Sequence, residues 1–164
     1  MPPLLSSSIA LVAAIGTAIV TAVSVYTVTA STLGVLILGA GLVRGSVNVY
    51  SAGTVLLVGA ILFAGAVGMA PSFLLAASFL LLLSWNVGQN GFSIAREVGS
   101  DASTRRIELV HAISSSVVLA AGCSVGYAVF LSVTGSESVV ALGALLVGVL
   151  ALLSTLQGEE LFEN

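Results

Sequence analysis

Lysine is missing from this chain, and every other charged residue is scarce. Its 164 residues carry four cations, all Arg, and seven carboxylates, of which Asp101 is the only aspartate. There is one histidine, His111, one cysteine, Cys123, and one tryptophan, Trp85. Each shortage closes a route. No lysine means no Schiff base on an amine side chain. One cysteine forms no intrachain disulfide, and with one histidine it cannot complete a structural zinc site. One aspartate excludes a two-aspartate intramembrane protease within a single chain. Cys123 follows His111 by twelve residues, about 18 Å along a straight helix, too far for a thiolate–imidazole pair. A net charge of −3 with no basic patch disfavours nucleic acid as a partner.

Apolar sequence is what the chain has instead. Hydrophobic residues make up 58% and charged residues 7%, with a mean hydropathy of +1.20, whereas a soluble domain carries about 25% charged residues. The charges leave four charge-free runs, Met1–Val43, Gly45–Ala95, Leu109–Ser136 and Ser138–Gly158, of 43, 51, 28 and 21 residues. A helix crosses a bilayer's hydrocarbon core with about 20 apolar residues, so these runs hold about two, two, one and one spans. The expected fold class is therefore all-α, a polytopic transmembrane helix bundle of about six spans. It forms one transmembrane domain over residues 1–164, multi-pass in the cell membrane. The longest polar stretch, Asn86 to Arg106, is too short to bury a core of its own. Leu4 to Tyr26 lacks a positive n-region and is long for a signal peptide, so it reads as a permanent first span.

The spans are expected at 7–26, 29–43, 51–69, 71–91, 104–133 and 139–156. Thr27, Thr29, Ser31 and Thr32 read as a polar link between the first two. The second is short, so a tilted or incomplete crossing is the alternative. Pro71 suits the first turn of a helix, and Thr104 suits an N-cap. Whether 86–99 extends the fourth helix or lies on the surface stays open: Val87, Phe92, Ile94, Ala95 and Val98 fit one apolar side, while Gly88, Gly91 and Gly99 weaken a helix. Threading six spans puts all four Arg on one side with both termini and leaves Glu137 on the other. Arginine near span ends marks the cytoplasmic face, so both termini are expected inside.

Apolar burial does not drive helices together in lipid, so small residues must let backbones approach. Ala10, Ala14, Ala18 and Ala22 recur every fourth position in the first helix, flanked by Ala13, Thr17 and Thr21. Ala60, Ala64 and Gly68 do so in the third, and Ala112, Ser116, Ala120, Ser124 and Ala128 in the fifth. These stripes predict packing within the monomer, with a homo-oligomer interface on one of them as the alternative.

Six of the eleven charges lie between Arg96 and Glu108. This stretch follows an aromatic residue suited to the membrane interface and three side-chain amides. Together they give a candidate polar interface segment: Trp85, Asn86, Gln89, Asn90, Arg96, Glu97, Asp101 and Arg106. Within it begins a second candidate group, since Arg105, Glu108, His111 and Ser115 recur at helical spacing and share a face. Glu-x-x-His is the ligand pair found twice in di-iron bundles. Here it occurs once, so a metal site would need a second subunit. A proton relay through Glu108 and His111 is a further alternative, and a structural ion-pair and hydrogen-bond cluster is the leading reading. No catalytic residue, metal or cofactor is expected. The middles of the expected spans lack ionisable side chains, which ion-coupled carriers usually place there.

Over Trp85-Asn86-Val87-Gly88-Gln89-Asn90, Arg96-Glu97-Val98-Gly99 and Thr104-Arg105-Arg106-Ile107-Glu108-Leu109-Val110-His111-Ala112, the chain resembles an uncharacterised family of haloarchaeal integral-membrane proteins, a domain of unknown function. The resemblance implies a source and a membrane location, and no activity. The lysine-free, mildly acidic composition, with a pI near 4.8, agrees with that source.

The functional expectation is a non-enzymatic accessory or scaffold subunit of a membrane complex. Its partners would be the lipid bilayer and a membrane or cytoplasmic protein, docked through 86–106 and the acidic tail Glu159-Glu160-Leu161-Phe162-Glu163. The alternative is a small-solute or lipid transporter using Asn86, Gln89, Asn90, Glu108 and His111.

Overall fold

A computed structural model describes residues 3–97 and 105–133. Among the described residues there are five helices and no strand: α1 (Leu4–Val20), α2 (Val25–Arg44), α3 (Val47–Ala66), α4 (Pro71–Glu97) and α5 (Arg105–Val133). Four of them, α2, α3, α4 and α5, are long and apolar enough to cross a membrane, while α1 is apolar but, at 17 residues, shorter. The sixth expected helix, 139–156, lies outside the described residues. The chain divides into two units, Met1–Ala121 and Gly122–Asn164.

The first two helices begin earlier than the apolar pattern suggests. The polar stretch expected to link them at Thr27–Thr32 is helical, and the link is Thr21–Ser24 instead. Ser24 starts α2 with a capping box: its Oγ accepts from the Thr27 backbone N–H while the Thr27 side chain accepts from the Ser24 N–H. That satisfies two amides otherwise without partners in a helix's first turn. Inside the helix, Thr29 and Ser31 donate back to the carbonyls of Val25 and Val28. Hydroxyls that bond the preceding turn need no water, so these residues stay helical in apolar surroundings. With them included α2 has 20 residues, and the incomplete crossing considered for 29–43 gives way to a helix of spanning length.

Two helix ends use the same device. At the end of α2, Gly45 adopts φ 67°, its N–H reaches Leu42 O, and the N–H of Ser46 reaches Gly41 O. At the end of α3, Gly68 adopts φ 96°, with the N–H groups of Gly68 and Met69 reaching Gly65 O and Ala64 O. Both are Schellman closures, which need a left-handed residue that glycine supplies without strain. Pro71 then opens α4.

Within Met1–Ala121, α2 packs most extensively on α3 and α1 on α4. The backbones of α2 and α3 come so close at Gly34 and Gly53 that a methyl on Gly53 would lie 2.7 Å from Gly34 O. A side chain at Gly41 would overlap the backbone of Tyr50. The stripe predicted on α1 is the buried face, with Ala10, Ala13, Ala14 and Thr17 inside, although Ala18 is half-buried and Ala22 is exposed beyond the helix end. On α3, Ala60 and Ala64 are buried, while Gly68 serves the turn. On α5 only Ala112 of the stripe is buried.

Contacts fix which helix ends meet. Tyr50, early in α3, lies against Gly41 near the end of α2 and against Gly88 and Phe92 in the second half of α4, and bonds Ser84 at its middle. Ser84 reaches Ala10 early in α1, and Ser6 reaches Glu108 in the first turn of α5. At the opposite end, Tyr26 meets Phe63 edge-on at 6.0 Å between ring centroids. The starts of α1, α3 and α5 thus share one end with the finishes of α2 and α4. Arg44, Arg96 and Arg106 are at that end, and all three are exposed.

Candidate functional site

Three groups of polar side chains lie toward the Arg-bearing end of the described helices. The deepest is centred on Tyr50, which is fully buried. Its hydroxyl donates to Ser84 O at 2.6 Å, and Ser84 Oγ in turn donates to Ala10 O at 2.8 Å. The Tyr50 ring stacks on Trp85 at 5.9 Å and meets Phe92 edge-on at 5.5 Å. Gly88 makes room for this, because a β-carbon there would occupy the position of the phenol group. The glycine that weakens the helix in sequence is thus the one that admits an aromatic side chain from the neighbouring helix. α4 continues through it to Glu97, so the stretch left open at 86–99 is an extension of the fourth helix as far as 97.

The second group is formed by Asn86 on α4 with His111 and Ser115 on α5. Asn86 Oδ1 lies 2.8 Å from His111 Nε2 and accepts from Ser115 Oγ at 2.9 Å. With an amide oxygen as acceptor, the imidazole carries its proton on Nε2. Ser115 and His111 are themselves 3.4 Å apart.

The third group joins helices far apart in sequence. Glu108 Oε2 accepts from both the backbone N–H of Ser6, at 2.9 Å, and Ser6 Oγ, at 2.8 Å. Ser6 is the third residue of α1, and the N-cap residue, Pro3, provides no side-chain bond. The first amides of a helix have no acceptor within it. Glu108 supplies one, and its negative charge sits where the α1 dipole is positive. It also lies in the first turn of α5, so one carboxylate serves two helix N-termini.

The face predicted to unite Arg105, Glu108, His111 and Ser115 is therefore divided between two partners. Glu108 turns to Ser6, and His111 and Ser115 turn to Asn86. The Arg105 side chain falls outside the described ones. Of the predicted interface segment, Trp85 is half-buried in the Tyr50 stack and Asn86 joins α5. Gln89 and Asn90 are half-buried, while Arg96 and Arg106 are exposed. The Glu97 side chain and all of Asp101 lie outside the described residues. Glu108, grouped in sequence with exposed charges, is only 2% exposed. Sequence reasoning passed over Tyr50, Ser84 and Ser6. A tyrosine in an otherwise ordinary apolar helix gives no cue that it is aimed at a glycine on another helix.

Among the described residues no group of three or more His, Cys, Asp or Glu side chains is placed to hold a metal ion. An open groove of about 410 Å3 runs between α1 and α4, lined by Ile9, Val12, Ala13, Gly16, Leu80 and Leu83, with Ser8 as its one polar side chain. It lies apart from the three polar groups and offers a hydrocarbon surface without chemistry.

No curated protein and no solved structure matches the chain. A family model described as a family of unknown function, DUF7519, matches residues 1–153. A match over that much of the sequence makes this chain a member of the DUF7519 family.

Proposed function

We propose that the chain is a non-enzymatic accessory or scaffold subunit of a membrane complex, a multi-pass protein with its Arg-bearing end in the cytoplasm. One observation carries the reading: every buried side-chain nitrogen or oxygen among the described residues has a hydrogen-bond partner. Glu108 is engaged by Ser6, Ser84 by Ala10, and Tyr50 by Ser84. An active or transport site instead gathers polar groups toward a substrate position. Here they hold helices to one another, which is the use polar side chains find in hydrocarbon.

Two further features support it. Arg44, Arg96 and Arg106 share one end, and positive charge near span ends favours the cytoplasmic side. Six spans, with 139–156 as the last, would return the C-terminus to that side. The α5 residues Val117, Val118, Ala120 and Ala121 are exposed, and such a face suits a neighbouring transmembrane helix.

Affinity purification from the native membrane in mild detergent, after brief crosslinking, tests the proposal. A partner recovered at fixed stoichiometry is the expected result. A monodisperse monomer without companions, seen in several detergents, would remove the reading. The transporter alternative draws on Asn86, whose side chain is exposed although its oxygen is doubly bonded. Flux into vesicles that is unchanged by Asn86→Ala and His111→Ala would eliminate it.

A further inference from the structure

Glu108 is a carboxylate that is buried and also joins two helices. It accepts from a helix-start amide and from the hydroxyl of the same residue, both converging on Oε2. α5 is also joined to α4 through His111 and Ser115 on Asn86. Ala112, between them, is buried, but from Val117 onward the helix presents exposed residues at 117, 118, 120 and 121. The first turns of α5 thus make side-chain hydrogen bonds to both α1 and α4. One of these fastenings depends on a negative charge.

We propose that Glu108 and Ser6 form a charge-dependent latch: the ionised carboxylate docks the start of α5 on the start of α1, and protonation of the carboxylate releases it. A hydrogen bond to an ionised acceptor is about twice as strong as a neutral one. The ion is also the form attracted by the positive ends of both helix dipoles. A carboxylic acid at the same place loses both advantages and brings a proton toward an amide and a hydroxyl that are already donating. Docking therefore belongs to the higher pH range, and acidification opens the latch.

The charged groups around it set the controls. α1 contributes none over Leu4–Val20. α4 contributes Arg96 and Glu97 in its last turn, and α5 contributes Arg105, Arg106 and, one turn on, His111. His111 lies one turn from Glu108 on the same helix, so its contribution has to be separated from that of Glu108.

The measurement uses the full chain in lipid nanodiscs, with spin labels at Val12→Cys and Val117→Cys in a Cys123→Ala background. Hydrogen exchange at the Ser6 amide is followed in parallel. Expected is a narrow distance at neutral pH that broadens reversibly on acidification, in His111→Gln as in the parent. Glu108→Gln is expected to be broad at every pH, with Ser6 exchange faster by about ten- to hundredfold, the worth of a hydrogen bond to a charged group. Should Glu108→Gln fail to fold, Ser6→Ala keeps the carboxylate and removes one donor, so release should need less acid. The proposal is overturned if the parent distance ignores pH, if Glu108→Gln still responds, if His111→Gln abolishes the response, or if Ser6→Ala leaves the midpoint unmoved. None of these readouts requires a partner protein, so the latch and the accessory reading fail separately.

Discussion

The hydroxyl of Tyr50 donates to the main-chain carbonyl of Ser84 at 2.6 Å, and through the Ser84 side chain this bond continues to the backbone of α1. One phenol thereby ties α3 to α4 at the point where α4 touches α1. Tyr50→Phe keeps the ring between Trp85 and Phe92 and removes only the donor. The expected loss is about 0.5–1.5 kcal/mol, the usual worth of such a bond, read as a lower unfolding midpoint in mild detergent. Tyr50→Ala should cost about 3–5 kcal/mol, because it also empties the ring's place.

Glycine substitutions should divide by what the new methyl meets. At Gly53 it meets the backbone of Leu38 and Gly34, and at Gly88 it meets the Tyr50 phenol. Gly53→Ala and Gly88→Ala should each destabilise by about 1–3 kcal/mol through overpacking. Gly59, on the same helix as Gly53, has nothing within 4 Å. Gly59→Ala should be neutral or stabilising by up to about 1 kcal/mol, from helix propensity alone. Thermal unfolding of the three variants side by side checks the ordering.

Ser24→Ala removes the oxygen that accepts from Thr27 N–H. The expected cost is about 1 kcal/mol. It should be local, with faster hydrogen exchange over residues 25–28 and unchanged exchange in the middle of α3.

Asn86→Ala leaves the His111 N–H and the Ser115 O–H without their shared acceptor. Destabilisation of about 1–2 kcal/mol is expected. A double-mutant cycle with Ser115→Ala should return a coupling of about 0.5–1 kcal/mol, the range found for polar pairs between membrane helices. Additive effects would mean the Asn86–Ser115 bond contributes nothing to stability.

What could be read in advance followed from composition and spacing. Long apolar runs imply helices whatever their partners, and Ala10, Ala13, Ala14 and Thr17 of α1 mark the buried face because their three- and four-residue spacing follows the helical turn. Pro71 marked a helix start for a backbone reason that needs no tertiary information. The misread boundary at Thr27–Thr32 has an equally local cause: hydroxyls that suggest a loop by polarity are content in a helix when they bond the preceding turn. The candidate site was legible only as a list of residue types. Glu108, His111 and Ser115 stand at helical spacing on α5, but spacing cannot say which neighbour faces each. Ser6 and Asn86 were chosen by the packing of α1 and α4 around Tyr50, a tertiary fact carried by Gly88.

The bond between Ser6 and Glu108 spans 102 residues of sequence. Translation proceeds at about 5–20 residues per second, so Glu108 is polymerised about 5–20 s after the residue it caps. Throughout that interval the start of α1 must find another acceptor, from water, lipid headgroups or the insertion machinery. α1, made before the other described helices, is thus among the last of them to be finished, and a ribosome stalled within α4 would leave it in that provisional state.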